Sequence, residues 1–266
     1  MSNIKIITTN FLVNSETTIT ADSENSLFPI SNIKDPRTTK VSRSQTGTLN
    51  NAYVADLKVA TEIDTFMLVP DNIRGFAALT GTVTIKANII DGAWGTAPFS
   101  TTLDITADVQ KFKIGFKTFP AETFRFWQIS VTNTQDFVEV SKMLLGKAIT
   151  FKENNIDFGW SFEGKDNSKF RKNRYGQRFV DKRNVQKVFR RLDFRLMTPE
   201  EMEELTDGFA VVGTSEPFWL IIDEDDIVSN QSERFAGYFY FLRKVPATDN
   251  DSVEIFNLSF AVEEAT

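Results

Sequence analysis

What most restricts the fold of this chain is its punctuation. Short runs of strand character alternate with Pro, Gly and Asn, so that no helix has room to grow in the first half. The stretch from Leu27 to Asn72, LFPISNIKDPRTTKVSRSQTGTLNNAYVADLKVATEIDTFMLVPDN, sets the pattern. Phe28-Pro29 forms an apolar turn, a second proline follows Asp35, and Lys40 to Ser44 reads as a strand before a polar turn around Gly47. Tyr53, Ala55 and Leu57 alternate with Val54, Asp56 and Lys58, the period of a sheet with one wet face. Ile63 to Val69 is apolar almost throughout, as in a strand covered on both sides. Short strands separated by such turns spell an antiparallel sandwich.

The same texture runs from the first residues to Gly146. Residues 4–13, Thr17 to Ala21, Thr82 to Ile90, Lys111 to Phe116, Phe124 to Val131 and Glu139 to Leu145 are further strand candidates. Residues 1–147 are therefore expected to form one all-β sandwich of roughly eight strands. At Gly146-Lys147 the texture changes, and residues 148–266 are expected to form a second domain. Limited proteolysis is expected to cut between Leu145 and Asn155.

The second half opens with a strand, Ile156 to Phe162, and a basic block. Between Lys165 and Arg195 twelve basic residues face three acidic ones, a local charge of plus nine. From Leu196 to the end sixteen acidic residues face three basic ones, a local charge of minus thirteen. Leu192, Phe194 and Leu196 alternate with charged neighbours, so the block ends as a strand. Thr198-Pro199-Glu200-Glu201 then starts a helix: Thr caps, Pro suits the first position, and Glu201 completes a capping box. Met202, Leu205, Phe209 and Val212 make one apolar stripe, and Gly213 stops the helix. Phe218 to Ile222, Phe235 to Leu242 and Val253 to Val262 are the closing strands.

Composition narrows the chemistry. The chain holds no Cys and no His, which removes thiol nucleophiles, thiolate metal sites, Ser-His and Cys-His dyads and most zinc chemistry. Catalysis is left with carboxylates, Lys, Tyr and bound cations, so a non-enzyme is expected. With 41% hydrophobic and 25% charged residues the chain folds rather than staying disordered. Phe, at 25 residues against four Trp and four Tyr, points to extensive buried or self-associating surface. The N-terminal MSNIKIITTNFLV is too polar for a signal peptide, and no apolar run reaches membrane-spanning length.

The opening stretch carries a resemblance. Pro29, Asn32, Asp35, Arg37, Ser42, Ser44, Asp56, Leu57, Ile63 and Asn72 match the start of the galactose-binding-like (discoidin-like) jelly-roll, in the version found in bacteriophage tail and virion proteins. The aromatic usual near Val41 is absent. Residues Arg191 to Phe194, the helix from Pro199, Pro217-Phe218-Trp219 and Asn257 to Phe260 resemble the β-barrel of phage tail-tube and distal-tail proteins, which pack into rings. The resemblance implies a virion structural protein, made in a bacterial cytoplasm, that meets itself in a hexameric or trimeric ring and meets other tail or tail-tip proteins.

Several features invite sharper readings. The basic block with Phe170, Tyr175, Phe179 and Phe189 has the footprint of a nucleic-acid site. The acidic whole, at net −6, argues against that and for a subunit contact in which a basic face meets an acidic one. Arg171, Arg174, Arg178 and Arg190 on one side, and Asp223 and Asp225 on the other, are the expected contact residues. Asp223 to Asp226 lacks the ligand spacing of a calcium loop, so no metal or cofactor is expected. Asp104, Asp108, Glu122 and Glu139 are candidates for a glycosidase pair. Trp94, between Gly92 and Gly95, is a candidate platform for a host-surface glycan, the alternative to the ring reading.

Overall fold

The computed structural model describes residues 4–48, 50–70, 81–105, 114–132, 137–151, 160–181, 185–222, 235–242, 247–249 and 256–265. Up to residue 150 its strands are β1 (Lys5–Ile7), β2 (Thr18–Ala21), β3 (Ser42–Arg43), β4 (Asn50–Pro70), β5 (Thr82–Asn88), β6 (Phe99–Asp104), β7 (Gly115–Thr132), β8 (Glu139–Gly146) and β9 (Ile149–Thr150). Two pairs of expected strands are really single long ones. Tyr53 to Leu57 and Ile63 to Val69 both lie on β4, and the described part of Lys111 to Phe116 continues through Pro120 into Phe124 to Val131 on β7. A register shift between Asp56 and Thr61 bends β4, with Lys58 in the left-handed region at φ 70°. The sequence reads as two strands there because the bulge interrupts the alternation without ending the ladder.

The bends let one sheet fold over on itself. Its order is β3-β8-β4-β7-β5-β6, with β2 on β4. The first half of β4 lies between β2 and the end of β7, which also carries β5. The second half lies between the start of β7 and β8. Between these two leaves sit Tyr53, Phe66, Leu68, Val83, Ile85, Trp127, Ile129, Val140 and Met143, all buried. This is the expected sandwich.

The remaining strands are β10 (Ser161–Asp166), β11 (Lys169–Lys172), β12 (Arg178–Asp181), β13 (Val185–Met197), β14 (Phe218–Ile221), β15 (Ala236–Phe241), β16 (Ala247–Asp249) and β17 (Phe256–Glu264), with one α-helix, α1 (Pro199–Val212). The helix forms as its sequence demands. The Thr198 hydroxyl accepts from the Glu201 N–H, and the Glu201 carboxylate accepts from the Thr198 N–H. Gly213 ends it at φ 55°. Leu205 and Val212 are buried, and the Phe209 ring stands edge-on to Phe241 at 4.4 Å. The phenylalanines cluster beneath it, with Phe218 stacked on Phe241 at 3.9 Å and Phe194 on Phe260 at 5.4 Å.

Two expectations change here. The second sheet runs β10-β13-β17-β15-β14-β1-β9, with β16 on β17. Among the described residues it is an open sheet, ending at β10 and β9, where a barrel was expected. A barrel needs its edge strands to meet, and here each edge pairs on one side only. Second, β1 lies across the expected boundary at 147/148, because Lys5 to Ile7 pair with Trp219 to Ile221. The strand expected over residues 4–13 is thus short and belongs to the other sheet.

Between the two sheets lies a third apolar cluster: Ile7, Met67, Val69, Ile114, Leu144, Ala148, Trp219, Ile221 and Ala236. It explains why β4 and β14 are apolar at successive positions. Phe66 and Leu68 face the sandwich interior, while Met67 and Val69 face the second sheet. Phe218 and Leu220 face the helix, while Trp219 and Ile221 face the sandwich. Both strands are covered on both sides.

Candidate binding surfaces

The polar residues of the opening stretch mostly hold backbone. Asn32 Nδ2 donates to the Val41 carbonyl at 2.7 Å, and Ser44 Oγ accepts from the Val138 N–H at 2.9 Å. Arg37 forks onto Asp35, at 2.8 Å from Nε and 2.6 Å from Nη2, and that hydrogen bonding holds the Asp35 carboxyl well below the usual carboxylate range. Arg125 does the same for Asp56, at 2.8 and 3.0 Å, helped by Lys58. Asn72 lies outside the described residues. Arg43 packs between Phe28 and Phe137, 4.1 and 4.5 Å from their centroids, and pairs with the buried Glu139. These groups brace loops and strands against one another, which is a scaffold role.

Trp94 starts a single 3-10 turn, Trp94–Thr96, between β5 and β6 and is half-buried. Lys86 Nζ donates to its carbonyl at 3.1 Å, and Asn88 Nδ2 donates to the Ala93 carbonyl at 2.8 Å. Ile89 and Ile90, just before it, are 66% and 61% exposed. The loop therefore presents apolar surface on a braced frame, a feature the sequence hides because the alternation of Thr82 to Ile90 carries Ile89 and Ile90 into the strand, which ends at Asn88.

A cavity of about 400 Å³ opens at the seam of the two sheets, lined by Asn10, Lys34, Lys142, Glu216, Trp219 and Tyr238 among others. Its cations are already engaged. Lys34 Nζ donates to the Asn14 and Thr17 carbonyls at 3.0 and 2.6 Å, and Lys142 Nζ to the Asn32 and Lys40 carbonyls at 3.0 and 3.4 Å. Burial pushes the Lys142 ammonium down to about 8 and raises the Tyr238 phenol. These lysines tie the opening loops together on the sandwich side of the seam.

The basic block divides in two. Its base is neutralised within the chain: Lys165 Nζ meets Glu263 at 2.7 Å, Arg190 meets Glu163 at 2.6 Å, and Lys187 Nζ donates to the Ala236 carbonyl at 3.0 Å and lies 3.8 Å from Glu264. Its tip is a separate two-stranded ribbon, β11 with β12, exposed at every strand position. Arg171, Arg174 and Arg178 are on this ribbon, and Arg190 is not. Phe170, Tyr175, Phe179 and Val180 are 61%, 74%, 59% and 55% exposed. The Arg178 guanidinium lies 4.4 Å from the centre of the Phe170 ring, and that of Arg174 lies 4.7 Å from Tyr175. Asp223 and Asp225 fall outside the described residues, as does Asp108. Asp104 is exposed at the end of β6, Glu122 is half-buried, and Glu139 is sealed under Arg43. Among the described residues no three carboxylates gather to hold a metal ion. Nor is any helix among them long and apolar enough to cross a membrane.

No family model matches the chain, and no curated protein matches it. Solved structures do share part of its layout. Chitosan-binding module 1 from a chitosanase/glucanase of Paenibacillus sp. IK-5 is 21% identical, covering 52% of this chain and 99% of its own, with a TM-score of 0.42. The family 32 CBM of NanJ from C. perfringens, in complex with galactose, is 16% identical over 54% of this chain and 99% of its own, with a TM-score of 0.42. The lectin domain of lectinolysin complexed with Lewis B antigen is 11% identical over 52% of this chain and 97% of its own, with a TM-score of 0.43. At these scores the likeness concerns the strand layout of about half the chain, and no ligand is read from it.

Proposed function

We propose that this chain is a non-catalytic structural protein that assembles with protein partners, of the kind found in a phage tail. The observation that supports it is the β11–β12 ribbon. An isolated two-stranded ribbon is marginal in water, and this one exposes three aromatic rings beside five cations, Lys169, Arg171, Lys172, Arg174 and Arg178. Aromatic and Arg side chains are the groups that anchor protein contacts. The tail setting rests on the sequence resemblance alone, and the solved structures described above are carbohydrate-binding rather than tail proteins. The test is sedimentation of lysates of the native host. Wild type should enter fast-sedimenting particles, whereas Phe170→Ser with Phe179→Ser should remain at the top of the gradient. Wild type remaining at the top would end the assembly reading.

A second reading has its own support. Trp94 with exposed Ile89 and Ile90 gives the sandwich a braced apolar loop at one end, suited to stacking on a sugar face. Under this reading the chain attaches a particle to a bacterial surface glycan. Binding on a glycan array should drop at least tenfold in Trp94→Ala, and an array without any signal for wild type rejects it.

A further inference from the structure

The ribbon has a complementary surface on its own chain. Helix α1 contains no Lys or Arg. Along its outer side Glu200, Glu203, Glu204 and Asp207 are exposed, and Val211, one turn on, is 65% exposed. At spacings of three and four these residues form one stripe, acidic for two turns and then apolar. The ribbon is its counterpart. Phe170 pairs across with Val180, Arg171 with Phe179 and Lys172 with Arg178, so each face carries both rings or branched carbons and cations. Its turn is already formed: Asn173 Oδ1 accepts from the Tyr175 and Gln177 N–H groups at 2.9 and 3.0 Å, and Gly176 stands at φ 81°. The formed turn reduces the ordering that docking of a marginal ribbon requires. Its high exposure shows that it does not lie on the helix of its own copy.

We propose that the β11–β12 ribbon of one copy seats on the α1 stripe of a second copy, in a head-to-tail contact. This rests on reading the ribbon as an assembly element and adds its receptor. Exposed ion pairs are individually weak and screened within about 8 Å at physiological salt. One face of the ribbon meets the stripe, and the Phe170 ring with Val180 against Val211 supplies most of the attraction, while charge fixes which surface is chosen. A head-to-tail contact repeats, closing into a ring where the rotation allows.

Light scattering on the purified full chain tests it. The wild-type mass should rise with concentration and fall only slightly as salt increases. Phe170→Ser/Phe179→Ser should stay at one copy, as should Glu204→Lys/Asp207→Lys, both with unchanged circular dichroism. Mixed together, the two variants should give two copies and no more, since one intact ribbon meets one intact stripe. A mixture that stays at one copy overturns the proposal, and so does a helix variant that assembles like wild type. So does binding of a labelled thymidine oligonucleotide that disappears in the ribbon variant, which assigns the ribbon to nucleic acid. If purified wild type stays at one copy but still enters particles in its host, this inference falls and the assembly reading stands. If it does neither, both fall.

Discussion

Lys142 shows how much of this structure is decided by single side chains. It lies 3% exposed on β8, at the seam, where its ammonium serves carbonyls of two loop segments. Burial lowers its folded pKa to about 8, below the unfolded lysine value, so the unfolded chain holds more protons between those limits. Stability should therefore rise as pH increases from about 8 to about 10.5, by on the order of 3 kcal/mol at 1.36 kcal/mol per unit. Urea midpoints at pH 8 and pH 10 should show that rise in wild type, and Lys142→Met should show a clearly smaller one. Asp56 acts at the other limit. Its depressed carboxyl contributes stability that is present above about pH 4 and lost as pH falls, and Asp56→Asn should flatten that acid limb. Gly146 is the third case. A Cβ there would stand 2.5 Å from Ile7 Cγ2 and 2.8 Å from the Thr9 carbonyl oxygen. Gly146→Ala should cost about 1–3 kcal/mol, read as a lower thermal midpoint. The sequence makes Gly146 look like a seam between two textures; in the structure it is a point of close approach.

At the scale of elements, what was legible followed from local physics. The capping box and stripe of α1 are complete in a few consecutive residues, so they can be read without tertiary knowledge. Thr198→Ala should lower stability by about 1 kcal/mol without moving the helix boundary, measured by denaturation and by helical circular dichroism. The alternation on β5 and β7 was equally plain. The bend in β4 was not, because Lys58 takes a positive φ that no single residue type announces. The open second sheet was also hidden, since closure depends on which edges meet. Of the candidate site, Arg171, Arg174 and Arg178 were visible as charge, but their separation from Arg190 was not. That separation comes from the strand pairing of β10 with β13, which brings Glu163 to Arg190 while β11 and β12 pair only with each other.

For the whole molecule, the cluster between the sheets matters most. The division at 147/148 remains a proposal, with the expected cleavage between Leu145 and Asn155 as its test. The shared core adds a second expectation. After such a cut, β1 travels with one fragment and β14 with the other, while Met67, Val69 and Leu144 stay packed on Trp219 and Ile221. A denaturing gel should show two bands, and gel filtration one peak at the original volume. Two separated peaks would mean that the seam contributes little to stability.

The pairing of Lys5 with Ile221 also sets a timetable. A ribosome releases β1 long before β14, so the edge of β1 that β14 will take must wait while the intervening strands emerge, with only the short β9 on its other side. The sandwich can condense in the meantime, since its strands need nothing beyond Gly146. The second sheet cannot, and the long loop that joins its earliest strand to a late one makes its closure slow. A chain that stops before β14 therefore keeps one edge of an apolar strand unpaired, which marks it for proteolysis.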